Sequence, residues 1–298
     1  MSQRIINLFL LICALVLCKS ASSADFVIPE AKQEVEKRDL TKFIDENALI
    51  DIETSKGNSF AIYSPYMAST KRGIVILIPD IGHPPLSYNG FNYLHHALTD
   101  DGFDTYAIQI PDIAFNDTLP KDDASNSSNT ETVSEESTEK KMQKPAKFLA
   151  ERVPENSLDD YKTQLIDIFK ALYSQLTMLE KEQLVVIAQG TSAGVFSEYL
   201  ADLPNIKLDA FVAISAQLPN SSRQRHLPAN LSVISPPLLD IFYTNDNPTV
   251  TRSMPERIRW VKRNSKFDYR QRQLFGLTTE TRQHQRLRKE VDGFLRQL

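Results

Sequence analysis

Residues 73–78 read Gly-Ile-Val-Ile-Leu-Ile, a run without one polar side chain. Successive side chains of a strand point to opposite faces. A continuous β-branched run of this kind is therefore the mark of a strand buried on both faces, as in a parallel sheet covered by helices. Pro79-Asp80-Ile81-Gly82-His83-Pro84-Pro85 follows, a loop rich in breakers. Phe91, Leu94, His95 and Leu98 then recur at helical spacing within Tyr88–Asp100, Gly102 closes that helix, and Phe103–Ile110 reads as a second strand. The three pieces make one βαβ unit.

The pattern extends in both directions. Upstream, Ala48–Thr54 and Ser59–Tyr63 flank the turn Ser55-Lys56-Gly57-Asn58, a hairpin signal. Downstream, Ser157-Leu158-Asp159-Asp160 opens a helix whose apolar face is Tyr161, Leu165, Ile168, Phe169 and Leu172. Strands are expected at Leu184–Ala188, Leu208–Ile214, Leu238–Tyr243 and Phe267–Leu274. Helices are expected at Ala193–Leu200, Pro255–Asn264 and Thr281–Leu298, with a helical or irregular stretch over Arg223–Val233. Such alternation predicts an α/β fold with a doubly wound, mostly parallel sheet and an N-terminal hairpin.

Two segments stand apart. Arg4 precedes an apolar run from Ile5 to Cys18, followed by the small-residue segment Lys19-Ser20-Ala21-Ser22-Ser23-Ala24. This reads as a signal peptide, residues 1–24. The run is short of the roughly 20 apolar residues of a membrane span, so no transmembrane segment is expected in the mature chain. Lipid attachment at Cys18 is the alternative, against which Leu17 stands where such sites take a small residue. Both cysteines, Cys13 and Cys18, fall inside this segment, so the mature chain has no thiol for a disulfide, a metal or a nucleophile. A periplasmic location follows, with secretion as the alternative. From about 116 to 147 the chain is polar and nearly free of large apolar residues, the composition of a disordered insertion. What remains, about 240 residues of 25–298, suits one domain. The formal net charge of −4 argues against nucleic acid as a partner.

The strand Leu184-Val185-Val186-Ile187 runs into Ala188-Gln189-Gly190-Thr191-Ser192-Ala193-Gly194 and then a helix. Gly190-Thr191-Ser192-Ala193-Gly194 matches the G-x-S-x-G nucleophile elbow. The register admits two frames. An elbow that starts directly after Ile187 places small Ala188 and small Ser192 two residues to either side of Gly190, and then has no nucleophile. A frame centred on Ser192 makes Gln189 end a buried strand and puts Val195 close to the neighbouring strand. The glycine-centred frame is preferred here.

These residues, with the loop from Leu77 to His83, resemble the α/β-hydrolase superfamily. More narrowly, Gly73–Pro111, Ala188–Gly194, Pro237–Tyr243 and Tyr269–Leu274 resemble a family of exported bacterial α/β-hydrolase-like proteins classed as a domain of unknown function. That resemblance implies the hydrolase fold and a glycine where hydrolases carry serine.

A hydrolase would place its acid after Leu238–Tyr243, where Thr244-Asn245-Asp246-Asn247-Pro248 stands, and its histidine after the last strand, where Gly276-Leu277-Thr278-Thr279 has none. The acidic position falls on Asn247, with Asp246 one residue off, and the downstream histidine is His284. A serine without a base is a poor nucleophile. The expectation is thus a binding or scaffolding protein for a small-molecule or envelope ligand. The alternative is a serine esterase with Ser192 as nucleophile, Asp246 as orienter, His284 as base and amides near Ile81 and Ala193 as oxyanion hole. Ligand-binding candidates are His83, Gln189, Gly190, Arg270 and Arg272. Arg270 and Arg272 share one face of a strand and could pair on an anion. His95 and His96 have no metal-ligand spacing, and no metal or cofactor is expected.

Overall fold

The computed structural model describes residues 32–112, 153–179, 181–203 and 206–298. The expected signal peptide at 1–24 and the expected insertion at 116–147 lie outside the described residues. Helix α1 (Lys32–Leu40) leads into a hairpin of β1 (Leu49–Thr54) and β2 (Gly57–Ser64). Strand β3 (Gly73–Ile78), helix α2 (Phe91–Asp100) and strand β4 (Phe103–Ile108) follow as a βαβ unit. Helix α3 (Glu155–Gln175), β5 (Gln183–Gln189), α4 (Gly190–Asp202), β6 (Ala210–Ile214) and α5 (Ser221–Val233) come next. The chain closes with β7 (Leu238–Tyr243), α6 (Pro248–Arg263), β8 (Tyr269–Leu274) and α7 (Thr281–Leu295).

The strands form one sheet in the order β1-β2-β4-β3-β5-β6-β7-β8. The hairpin joins antiparallel, β2 against β4, and every pair from β4 to β8 is parallel. All six residues of β3 are buried, as a central strand requires. Their alternation divides the core. Ile74, Ile76 and Ile78, with Val186 and Phe211, pack with Leu165 and Phe169 of α3 and Phe196 and Leu200 of α4 on one face. Val75 and Leu77, with Val185, Ile187 and Val212, pack with Leu94 and Leu98 of α2 and Leu287 and Val291 of α7 on the other. Each such aliphatic side chain contributes about 1.5–3 kcal/mol when fully buried, so the central strands hold both helical layers.

Two of the helices that begin earlier than periodicity suggests shape the loops at the carboxyl end of the sheet. Helix α6 starts at Pro248, not Pro255: the Asn247 side chain accepts from Thr249 N, and a proline at the first turn leaves no helical donor unmet. Asn247 is thus a helix cap. The helix is pinned by Arg257, fully buried, whose Nη1 donates to Asp240 Oδ1 at 2.8 Å and Nη2 to Ala216 O at 2.6 Å. Tyr269 Oη donates to the other oxygen of Asp240, so β7, β8, α6 and the loop after β6 share one polar knot. Helix α4 starts at Gly190 itself rather than at Ala193. Among the described residues no helix is long and apolar enough to cross a membrane.

Candidate functional site

Strand β5 ends at Gln189 with extended angles, φ −122° and ψ 148°, and Gly190 turns the chain at φ +58° into α4. A single left-handed residue between a strand and a helix is the apex of an elbow, so the frame centred on Gly190 is the one the chain adopts. The apex also has no room for a side chain. A Cβ at Gly190 would lie 2.1 Å from Cγ and Oδ2 of Asp80. Gly194 serves packing: its Cβ would lie 2.3 Å from Gln217 O, in the loop after β6.

The carboxylate of Asp80 therefore fills the space above the apex. Its Oδ1 accepts from Ile81 N at 2.8 Å and from Thr191 N at 2.7 Å. Thr191 N belongs to the first turn of α4, where backbone donors are free and the helix dipole favours negative charge. The expected amide pair near Ile81 and Ala193 is accordingly Ile81 and Thr191, because the turn is centred two residues earlier than Ser192. Burial raises the carboxyl pKa of Asp80, while the two amides and the nearby His83 act in the opposite direction. Sequence reasoning passed over Asp80. The signal available was an acidic residue immediately before Ile81, itself a candidate oxyanion donor.

Ser192 lies on the inner side of α4 and is fully buried. Its Oγ donates to Pro79 O at 2.5 Å, so Tyr161 Oη, 2.7 Å away, must supply the proton in their contact. The hydroxyl thus ties β3, α3 and α4 together. Asp246 Oδ2 accepts from Ser215 Oγ and from Tyr243 N, each at 2.7 Å. Burial raises its pKa as well, against those two bonds and the charge of Arg257. His284 sits on α7, its Nε2 3.1 Å from Thr278 O and its ring beside Tyr93 and Gly90. Among the described residues no hydrogen bond joins Ser192, Asp246 and His284.

The ligand candidates divide between two ends of the molecule. His83 is half-buried near Asp80, its Nδ1 3.2 Å from Ile81 O, and Gln189 is buried at the end of β5 with Oε1 unpartnered among the described residues. These two share the elbow with Gly190. Arg270 and Arg272 are on β8, three strands from β5. Arg272 Nε donates to Glu290 of α7 at 3.1 Å. The Arg270 guanidinium lies over the Phe294 ring, beside a cleft with Gln183 and Asp268 at the amino end of the sheet. The two arginines face α7 and do not join the elbow. Among the described residues no three His, Cys, Asp or Glu side chains group as a metal site.

The architecture is shared with solved hydrolases. Dienelactone hydrolase from Anabaena variabilis matches at TM-score 0.55 and 12% identity, over 84% of this chain and 96% of that one. Est1E from Butyrivibrio proteoclasticus matches at 0.54 and 8%, over 84% and 98%. A soluble variant of monoglyceride lipase from Saccharomyces cerevisiae, in complex with a substrate analog, matches at 0.51 and 7%, over 82% and 93%. Likeness at these identities is a likeness of fold. No curated protein matches the chain. Its eight-stranded, mostly parallel sheet is the α/β-hydrolase fold of those structures, and the model of the family described as "Protein of unknown function (DUF3530)" matches residues 9–297, so this chain belongs to that family.

Proposed function

We propose that this chain is a non-catalytic α/β-hydrolase-fold protein, a binding or scaffolding protein that residues 1–24 send to the cell envelope, with the periplasm as its place of work. One observation carries the reading: the apex of the elbow is Gly190, and the carboxylate of Asp80 holds the two amides that an ester's developing oxyanion would need. A carboxylate on those donors excludes a substrate oxygen by charge and by volume. The serine of the motif donates its proton to a carbonyl and cannot pass it to a base. The triad positions are thus degenerate, and the protein acts by holding a ligand or partner.

Labelling of the full chain with a fluorophosphonate probe tests this, with Ser192→Ala and heat-denatured protein as controls. Folded wild type should not label. Labelling that disappears in a folded Ser192→Ala variant would establish the esterase reading with Ser192, Asp246 and His284 and overturn ours. N-terminal sequencing of the protein recovered from the periplasm should begin at Asp25. Recovery only from the cytoplasm would end the envelope role.

A further inference from the structure

We infer that the cleft bounded by α4, α5 and α6 at the carboxyl end of the sheet binds an anionic ligand with an apolar body, its carboxylate or phosphate held by Arg225 and Arg252. The inference deepens the binding reading above and rests on it. The cleft holds about 660 Å³, within the range of small-molecule sites, and Thr191 of the elbow is part of its wall. Open α/β sheets take their ligands in this position, outside the carboxyl ends of the strands.

Charge supports the ligand class. Arg225 and Arg252 are exposed on the wall, and among the described residues neither has an ion pair, a hydrogen bond or a ring contact. Their neighbours differ. Arg223 is held by Glu198 and Asp159, and Arg257 by Asp240. Among the described residues no acidic side chain lines the cleft. Asp246, one residue before Asn247 of the lining, is already bonded to Ser215 and Tyr243 N, and Asp80 is bonded to Ile81 N and to Thr191 N of the lining. Two guanidinium forks on one wall suit a planar carboxylate or a phosphate.

The remaining wall supplies the rest of the ligand. Leu218, Pro219 and Pro248 give it apolar surface. Gln224, also lining, has its Oε1 taken by Leu218 N at 2.6 Å, and its Nε2 finds no partner among the described residues. A larger cleft of about 750 Å³ between α2 and α7 lacks this imbalance, because its Arg288 is paired with Asp101 and Asp100 is in its wall.

Calorimetric titration of the full chain with decanoate, decyl phosphate, decanol and inorganic phosphate tests the inference. Decanoate or decyl phosphate should bind, with decanol and inorganic phosphate about tenfold weaker or more. Arg225→Ala/Arg252→Ala should lose about tenfold in affinity at unchanged melting temperature. Arg259→Ala/Arg263→Ala, which removes the same charge elsewhere on α6, should bind as wild type does. Equal binding of decanol would remove the anion from the proposal, and equal binding of inorganic phosphate would remove the apolar body. Undiminished affinity in the first double variant, equal losses in both, or no binding by any ligand would overturn the site. Fluorophosphonate labelling is read separately, so loss of the non-catalytic reading and loss of this site are distinguishable.

Discussion

Asp80 and Asp246 stand at the same end of the sheet, one after β3 and one after β7, and each is partly buried with its pKa raised by desolvation. Both are stabilised by donors from the turns around them, yet the donors differ. Asp80 is bound by two backbone amides, one of them in the first turn of a helix, and occupies the volume a side chain at residue 190 would need. Asp246 is bound by one amide and the hydroxyl of Ser215, a residue itself at φ +51°. The loop after β7 thus keeps an acid one residue before the helix cap Asn247. At the elbow, a carboxylate from the loop after β3 fills the space that a side chain at the apex would take.

The sharpest way to break the comparison is Gly190→Ala. Left-handed backbone at a non-glycine residue costs roughly 1–2 kcal/mol, and forcing a methyl group into filled space roughly 1–3 kcal/mol. The variant should lose about 3 kcal/mol in urea unfolding. In an Asp80→Ala background the same change should cost only about 1–2 kcal/mol, the backbone part alone. Equal losses in both backgrounds would mean the carboxylate does not fill the apex.

A second test weighs the serines beside the two carboxylates. Ser192→Ala leaves Pro79 O and Tyr161 Oη without partners in the core, a loss of about 2–3 kcal/mol. Ser215→Ala removes one bond to a partly exposed carboxylate and should cost about 1 kcal/mol. If Ser192→Ala is the milder of the two, the serine of the motif is not structural.

The smallest effect is in pH dependence. A carboxyl whose pKa is raised on folding holds its proton longer in the folded state, so it lowers stability as pH rises from the unfolded value near 3.8 through the folded one. Asp80→Asn removes that loss and still offers an oxygen to both amides. Relative to wild type, the variant should therefore gain in urea midpoint between pH 4 and pH 7. Asp246→Asn should gain in the same direction, since burial is the largest cause of the raised pKa there too. A difference between Asp80→Asn and wild type that is constant with pH would show that Asp80 ionises in the native state as in the unfolded one.

Much of this was legible in the residues. Apolar runs mark β3, β5 and β7 nearly to the residue, since burial on both faces favours apolar side chains throughout, with Asp240 of β7 admitted by its pairing with Arg257. Helix starts were less legible. The start at Pro248 rather than Pro255 depends on a cap from Asn247, a residue with equally good turn chemistry. At the elbow, the spacing of Ala188, Gly190 and Ser192 after Ile187 points to the glycine as apex, because only small neighbours permit so sharp a bend. The pairing of Arg270 and Arg272 on an anion, reasonable from their alternation along a strand, met a neighbour that alternation does not disclose: α7 lies across that face and engages one with Glu290 and the other with Phe294.

The sequence by itself determined the α/β architecture and favoured Gly190 over Ser192 as the bend, because both follow from side-chain size and periodicity within a window of a few residues. Only the tertiary structure decided that Asp80, 111 residues before Thr191, would occupy its amide, and that Arg225 and Arg252 would share one cleft. Such meetings depend on which strands are neighbours and how their ladders are registered, and those are set by the packing of the whole sheet.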